Sequence, residues 1–158
     1  MLLYFLRHGI AEEATLGQPD FARQLTDKGR ERMVEEGKAL AKLGIEVGLI
    51  LTSPAVRARQ TAEIVAEALG GPVEEEKGLG GGCELSRLAE ALEGRRLPEA
   101  VMLVGHEPDF SETIGELIGG GRVAMKKGAV ACLEVTGVAG GGATLLWLIT
   151  GKQLAAMA

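Results

Sequence analysis

The chain has 158 residues, 46% of them hydrophobic, and its formal net charge at pH 7 is -5. This length and composition fit one globular domain with a substantial core and exclude a disordered chain. The negative charge argues against a nucleic-acid partner, and no apolar run could span a bilayer or act as a signal peptide, so we expect a cytoplasmic protein.

The first part of the chain predicts a strand followed by a long helix. Leu2–Leu6 is a short, continuous apolar run, which is typical of a buried strand. A helix is then expected from an N-cap at Thr26 to about Leu43. Its predicted inward face, at three- and four-residue spacing, consists of Met33, Val34, Gly37, Leu40 and Ala41.

The next segment repeats this order. Val47–Leu51 is a second predicted strand, and Ser53-Pro54 predicts the N-cap and first residue of a helix that ends at Gly70-Gly71. A short edge strand over Pro72–Glu76 and a helix over about Glu84–Glu93 follow. The predicted inward positions of the helix that starts at Ser53-Pro54 are Ala58, Thr61, Ala62, Val65, Ala68 and Leu69.

The last part of the chain predicts three more strands. Val101–Val104 is a buried strand, and Pro108 opens a helix that stops at Gly119–Gly121. The apolar runs Val130–Thr136 and Ala143–Thr150 flank a glycine-rich turn and predict a hairpin. The alternation of strands and helices predicts an α/β fold, a three-layer α/β/α sandwich with a mostly parallel central sheet, forming a single domain over the whole chain.

Three of the predicted strands end in polar motifs, which read RHG, TSPAVR and GHE. Ligands of open α/β sheets bind beyond the carboxyl ends of the strands. The only two histidines of the chain, His8 and His106, each lie immediately past a strand. This equivalent placement favours one shared site over two separate core histidines, provided that the strands are neighbours.

Arginines accompany the same motifs. Arg7 precedes His8, and Arg57 lies in the first turn of the helix after the second strand. A guanidinium group binds phosphate through paired N–H donors and stays charged. Arg59 is two residues further on, hence on another helix face, where it can pair with Glu63. We therefore interpret Arg59 as a surface residue.

Two histidines with two or three arginines indicate phosphoryl transfer. A neutral imidazole nitrogen can attack phosphorus when its other nitrogen donates to a backbone carbonyl. The arginines would hold the equatorial oxygens, where the transition state carries its charge, and the second histidine, if protonated, would add another donor. These donors make a metal unnecessary, and we expect no cofactor. Cys83 and Cys132 lie in no CxxC or Cys/His cluster, which argues against structural zinc.

Together the motifs resemble the histidine phosphatase superfamily, whose fold is phosphoglycerate mutase-like. LRHG, SPAVRARQTA and VGHEPD follow the family's order, and RHGIAEE and RQLTDKG look like its SixA-type phosphohistidine phosphatase branch. The resemblance implies that His8 is the nucleophile and becomes phosphorylated. Arg7, Arg57 and His106 would form the phosphate pocket around it. Arg23 matches a basic residue near the pocket, although a solvated arginine at a helix entrance explains it equally well.

One departure from the wider superfamily concerns a carboxylic acid. Mutases and many phosphomonoesterases of the superfamily carry it after the second motif helix, in a pattern like L-x-E. Here Leu79 is followed by three glycines, so the acid is missing from that pattern. Glu84 could be a displaced acid, but its place at the start of a predicted helix already suits the helix dipole.

The leading hypothesis is a phosphatase that dephosphorylates a histidine phosphotransfer-type signalling protein through a covalent intermediate at His8. An alternative is a phosphomonoesterase for a small metabolite, with Glu84 or a substrate group supplying the proton. A third is a phosphate-binding module without turnover, which would need arginines but no nucleophile. We expect the protein to be a monomer and to bind neither nucleic acid nor membrane.

Overall fold

A computed structural model describes all 158 residues and contains one six-stranded sheet with helices on both faces. The strands are β1 (Leu2–Arg7), β2 (Leu49–Thr52), β3 (Val73–Glu75), β4 (Ala100–Gly105), β5 (Val130–Val135) and β6 (Ala143–Ile149). Their order across the sheet is β3-β2-β4-β1-β5-β6. The first four strands in this order pair in parallel, and β5 and β6 complete the sheet through antiparallel pairs. The predicted mostly parallel sheet is confirmed.

Helices cover both faces of the sheet. They are α1 (Asp27–Lys42), α2 (Val56–Leu69), α3 (Leu85–Leu92), α4 (Asp109–Leu117) and α5 (Gly151–Ala156), with 3-10 turns at Asp20–Ala22 and Lys77–Leu79. One core cluster, which includes Phe5 and Phe110, joins the sheet to α3 and α4. The other, which includes Met33 and Leu154, joins it to α1, α2 and α5. The three predicted layers are therefore present. None of the helices has both the length and the apolar character needed to cross a membrane.

The helix after β2 begins later than the sequence predicts. Its first residue is Val56 and its N-cap is Ala55, so the predicted helix start at Ser53-Pro54 is wrong by two residues. The Ser53 hydroxyl oxygen instead accepts a hydrogen bond from the Ala55 amide and lies 2.7 Å from a ring nitrogen of His106. The chain between β2 and α2 is thus shaped by the histidine beside it.

The inward faces of α1 and α2 also differ from the prediction in part. Val34, Ala41 and Ala68 are exposed, whereas Glu36 and Ala39 are buried. The buried stripe of α1 is therefore rotated from the predicted one, because α5 packs on α1. This last helix was not predicted, and its six residues begin with a capping box formed by Thr150 and Gln153.

Glu36 is a carboxyl group buried without a counter-ion. It is fully inaccessible, and neither of its oxygens has a hydrogen-bond partner. Gly128 and Gly151 enclose it so tightly that a Cβ atom at either position would overlap the carboxyl group. Burial raises the pKa of Glu36 to about 8, although the charge of Arg32 opposes the shift. The side chain is therefore mostly protonated at neutral pH, which makes its burial tolerable.

Replacing Glu36 with Gln is expected to stabilise the protein increasingly as the pH rises. The pKa of Glu36 rises from an ordinary 4.5 to about 8 on folding, so between these values the folded state binds the extra proton. Wild-type stability therefore falls with rising pH through this window, and an amide of the same shape removes that fall.

Urea unfolding of wild type and Glu36→Gln at about pH 5, 6.5 and 8 measures the difference. The exposed neighbour Glu31 supplies the control variant Glu31→Gln, which is expected to leave the pH dependence unchanged. A free-energy difference between wild type and Glu36→Gln that does not grow with pH would contradict a protonated Glu36.

Candidate active site

His8 and His106 come together because β1 and β4 are neighbours in the sheet. Arg7 at the end of β1 is paired with Gly105 at the end of β4, and each histidine is the next residue. The ring centroids lie 5.3 Å apart, and both side chains are buried. Because β2 pairs with the other side of β4, α2 delivers Arg57 to the same edge. The structure thus meets the condition of neighbouring strands on which a shared site depended.

His8 is held in one orientation and one tautomer. Its Nδ1 lies 2.7 Å from the carbonyl oxygen of Gly9, which can only accept, so Nδ1 carries the hydrogen. The other nitrogen, Nε2, then carries no hydrogen, and its lone pair accepts a long hydrogen bond from Nε of Arg57 at 3.4 Å. Burial, reinforced by the charges of Arg57 and Arg7, lowers the pKa of His8 to about 3. At neutral pH the ring is therefore uncharged, with Nε2 unprotonated.

The backbone at Gly9 is hydrogen-bonded to α2 and lies close against α1. Its amide donates to the Thr61 hydroxyl at 3.1 Å, and that hydroxyl donates to the Arg57 carbonyl at 2.8 Å. A Cβ atom at Gly9 would approach the Met33 side chain to 2.8 Å, so a glycine lets the loop lie against α1. The glycine of the RHG motif therefore positions the histidine that precedes it.

Arg57 connects the two histidines. Its Nε lies 3.4 Å from Nε2 of His8, and its Nη2 lies 3.4 Å from Nδ1 of His106. The same guanidinium donates to the Asp20 carbonyl at 2.9 Å and to the Asp20 carboxylate at 3.0 Å. The Asp20 side chain is exposed, so an anion that binds Arg57 competes with an exchangeable carboxylate.

His106 is neutral in the free site, whereas the sequence leaves its protonation state open. Its Nδ1 faces Arg57, which only donates, so Nδ1 accepts and Nε2 donates to the Ser53 hydroxyl at 2.7 Å. Burial, assisted by the charge of Arg57, lowers the pKa of His106 to about 4. An anion bound here would stabilise the imidazolium form, so His106 can become a second donor when the ligand arrives.

A cavity of about 460 Å³, here called the central cavity, opens onto Arg57 and His106. Its other lining residues are Asp20, Phe21, Ser53, Pro54, Ala55, Gly80, Gly81, Gly82, Glu107, Pro108 and Asp109. The three glycines after Leu79 thus form one wall, and no side chain projects from it. Glu84 lines a different depression, together with Leu85 and Ser86. No group of three or more His, Cys, Asp or Glu side chains is arranged to hold a metal ion.

Two acids that line the central cavity, Glu107 and Asp109, are not identified as site residues from the sequence. Glu107 accepts hydrogen bonds from the amide and the hydroxyl of Ser111, and Asp109 accepts one from the Cys83 amide. Glu107 directly follows His106, and Asp109 lies two residues further on at the start of α4, so the rule that ligands bind beyond strand ends could also have identified them. Each carboxylate is engaged as an acceptor by the protein itself.

The other three arginines considered in the sequence analysis lie in three different environments. Arg7 does not line the central cavity: its Nη1 donates to the Met125 carbonyl at 3.0 Å, and its Nε is buried without a partner. Arg23 binds the Asp20 carboxylate at 2.9 Å and therefore reaches the site only through Asp20. Arg59 is exposed and pairs with Glu63, as predicted, and it also pairs with a carboxylate of β3.

Known proteins resemble this chain in sequence and in fold. The family model of the histidine phosphatase superfamily (branch 1) matches residues 3–81. An uncharacterized protein of Picosynechococcus sp. is 44% identical over 115 residues, which cover 71% of this chain and 70% of that protein. The structure of the protein histidine phosphatase SixA complexed with tungstate matches with a TM-score of 0.85 and 24% identity, over 98% of this chain and 99% of that one.

A mycobacterial glucosyl-3-phosphoglycerate phosphatase complexed with inorganic phosphate has the same fold. It matches with a TM-score of 0.72 and 18% identity, over 96% of this chain and 98% of that one. The two structural matches cover nearly the whole of this chain. They therefore extend to the hairpin of β5 and β6, which lies beyond the last sequence motif.

We expect Arg57→Ala and Arg59→Ala to differ sharply in their effect on the binding of tungstate, an oxyanion probe. In Arg57→Ala the loss of a charged hydrogen-bond donor is expected to reduce the binding free energy by about 1.5–3 kcal/mol, which raises Kd about 10- to 150-fold. Arg59 faces solvent and its own carboxylates, so its loss is expected to change Kd by less than about two-fold. Calorimetric titration measures both variants, and equal losses would show that Arg57 does not bind the anion.

Proposed function

Because the chain belongs to the histidine phosphatase superfamily, we propose that it is a phosphohistidine phosphatase acting on a histidine phosphotransfer-type signalling protein. The observation that carries the proposal is the neutral ring of His8, whose unprotonated Nε2 faces the Nε of Arg57 at 3.4 Å. An unprotonated nucleophile thus lies beside a cationic donor for phosphoryl oxygens, and its lone pair is free to attack once the Arg57 N–H turns to one of those oxygens. The SixA-like motifs and fold support phosphohistidine as the substrate.

In the first step, Nε2 of His8 attacks the phosphorus atom, and the P–N bond of the substrate breaks. The electron pair of that bond goes to the leaving imidazole, whose other nitrogen has been protonated by solvent. Positive charge that develops on His8 is stabilised because Nδ1–H donates to the Gly9 carbonyl. Arg57 and a protonated His106 hold the phosphoryl oxygens, and Arg7 adds positive charge next to them.

In the second step, water attacks the phosphorus atom of phosphorylated His8 and releases inorganic phosphate. The electron pair of the broken P–N bond returns to Nε2, while the hydrogen on Nδ1 stays in place. The free enzyme is therefore restored in its reactive tautomer. In this proposal the arginines and His106 supply the positive charge that a metal would otherwise provide.

The glycine wall of the central cavity favours phosphohistidine over phosphate esters. An ester expels an alkoxide, for which a positioned acid supplies about 10²–10⁴-fold in rate. The imidazole released from phosphohistidine has a conjugate-acid pKa near 6.5 and leaves without such an acid. Gly80–Gly82 place no acid in the wall, and Glu84 lies outside the cavity.

A small-molecule phosphomonoesterase is the second candidate, and the position of Glu107 favours it. This carboxyl group lines the central cavity, where its protonated form could donate its proton to a leaving alkoxide if it released Ser111. The same fold occurs in a glucosyl-3-phosphoglycerate phosphatase, whose name gives a small phosphate ester as its substrate. The leading proposal differs because it requires no acid at this position.

We expect kcat/KM to fall in the order phosphohistidine protein, p-nitrophenyl phosphate, 3-phosphoglycerate. The activated phenolate needs less protonation than an alkoxide, and the alkyl ester is expected to be at least about 100-fold slower than the phosphoramidate because the acid is missing. A phosphorylated histidine phosphotransfer domain and the two esters, assayed side by side, measure this order.

Two variants make the assay decisive. His8→Ala is expected to abolish hydrolysis of all three substrates without loss of the fold, because the imidazole is the nucleophile. Fast hydrolysis of 3-phosphoglycerate by the wild type, lost selectively in Glu107→Gln, would contradict the phosphohistidine proposal and establish the phosphomonoesterase.

A further inference from the structure

A second cavity, of about 460 Å³, has a lining that is rich in positive charge. We call it the basic cavity, and its charged lining residues are Arg7, Arg32, Lys126, Lys127 and Lys152. They come from β1, from α1, from the loop before β5 and from α5, and no carboxylate lines the cavity. None of the five takes part in any of the seven ion pairs of the protein. This concentration of cations contrasts with the net charge of -5.

The acid that adjoins the basic cavity does not neutralise it. Glu36 lies against Gly151, which lines the cavity, but its raised pKa of about 8 keeps it mostly protonated at neutral pH. None of the five cations of the basic cavity is in an ion pair, and the one carboxylate whose charge acts on Arg7, that of Glu107, lines the central cavity instead. The mutual repulsion of the five cations is relieved when an anionic group binds among them.

Arg7 connects the basic cavity to the candidate active site. It lines the cavity and directly precedes His8 in the chain. Its Nε is buried and has no hydrogen-bond partner, so a bound acceptor would satisfy it. A group held in the basic cavity therefore contacts the residue that immediately precedes, in the chain, the histidine that receives the phosphoryl group in the proposed reaction.

The cations of the basic cavity are mostly lysines, which favours an acidic protein surface over a small anion as the ligand. Lys126, Lys127 and Lys152 are exposed, and their ammonium groups are hydrated point charges on flexible stems. Such groups suit carboxylates that arrive at varied positions on an opposing surface. They also speed the association of an acidic partner, which a rigid cage around one small anion would not require.

We propose that the basic cavity docks Asp and Glu side chains of the phosphorylated partner protein while its phosphohistidine reaches His8. This docking role rests on the proposed function, because it identifies the partner as the phosphohistidine-bearing protein. It adds that the protein surface around the phosphohistidine is acidic. The residues that would recognise this surface, Lys126, Lys127, Lys152 and Arg32, are separate from those that contact the phosphoryl group.

A binding experiment tests the docking role without turnover. Hexaglutamate is titrated into the wild type, and amide NMR shifts are expected at Lys126–Gly128 and at Gly151-Lys152. The variant Lys126→Glu/Lys152→Glu is expected to bind hexaglutamate at least about ten-fold more weakly. Lys42→Glu, at the far end of α1, is the control for one Lys→Glu charge reversal away from the basic cavity and is expected to change Kd by less than about two-fold.

Other outcomes of this titration overturn the docking role. They are an absence of shifts around the basic cavity, or an equal loss of affinity in Lys42→Glu. Shifts produced there by inorganic phosphate but not by hexaglutamate would identify a small-anion site instead. Far-UV circular dichroism verifies that each variant is folded, and the single variants Lys126→Ala and Lys152→Ala replace the double variant if it is not.

A kinetic experiment then distinguishes a failure of docking from a failure of the proposed function. In Lys126→Glu/Lys152→Glu, the loss of kcat/KM is expected to be at least about ten-fold larger for the phosphohistidine protein than for p-nitrophenyl phosphate. Equal losses on both substrates would overturn docking and leave the phosphatase function intact. A wild type inactive on the phosphohistidine protein would overturn the proposed function and, with it, the identity of the docked partner.

Discussion

The hydrogen bond between Nδ1 of His8 and the carbonyl oxygen of Gly9 determines what this site can do. It keeps the hydrogen on Nδ1 and so leaves the lone pair on Nε2, 3.4 Å from Arg57. If Nε2 carried the hydrogen instead, the ring could only donate towards an incoming phosphoryl group. Gly9 contributes twice, because its carbonyl accepts this bond and its missing side chain makes room for Met33.

The charges around His8 are arranged so that a buried nucleophile remains neutral while its surroundings remain positive. Burial lowers the pKa of both histidines, and the nearby guanidinium groups lower them further. The arginines are themselves held by oxygens of the protein: Arg57 by Asp20 and Arg7 by the Met125 carbonyl. A phosphoryl group that displaces the Asp20 carboxylate from Arg57 would find this donor already close to its place, which reduces the reorganisation needed on binding.

The sequence could predict the meeting of the histidines, because parallel neighbouring strands end at the same edge of a sheet. The different faces of Arg57 and Arg59 followed equally from helical spacing. The contact between Asp20 and Arg57 could not be predicted, since it joins residues far apart in the chain through an exposed loop with no periodic pattern. Nor could the burial of Glu36, because its environment depends on α5, which is too short to give a clear helical signal.

Nitrogen-15 NMR of the imidazole rings tests the tautomer of His8 most directly, and the chain has only two histidines to resolve. The structure predicts that at pH 7 Nδ1 of His8 is protonated and Nε2 is not. Because the pKa of His8 is about 3, this pattern is expected to persist on acidification to about pH 5. A hydrogen on Nε2 at neutral pH, or an imidazolium that forms near the ordinary pKa of about 6.5, would contradict a neutral His8 nucleophile.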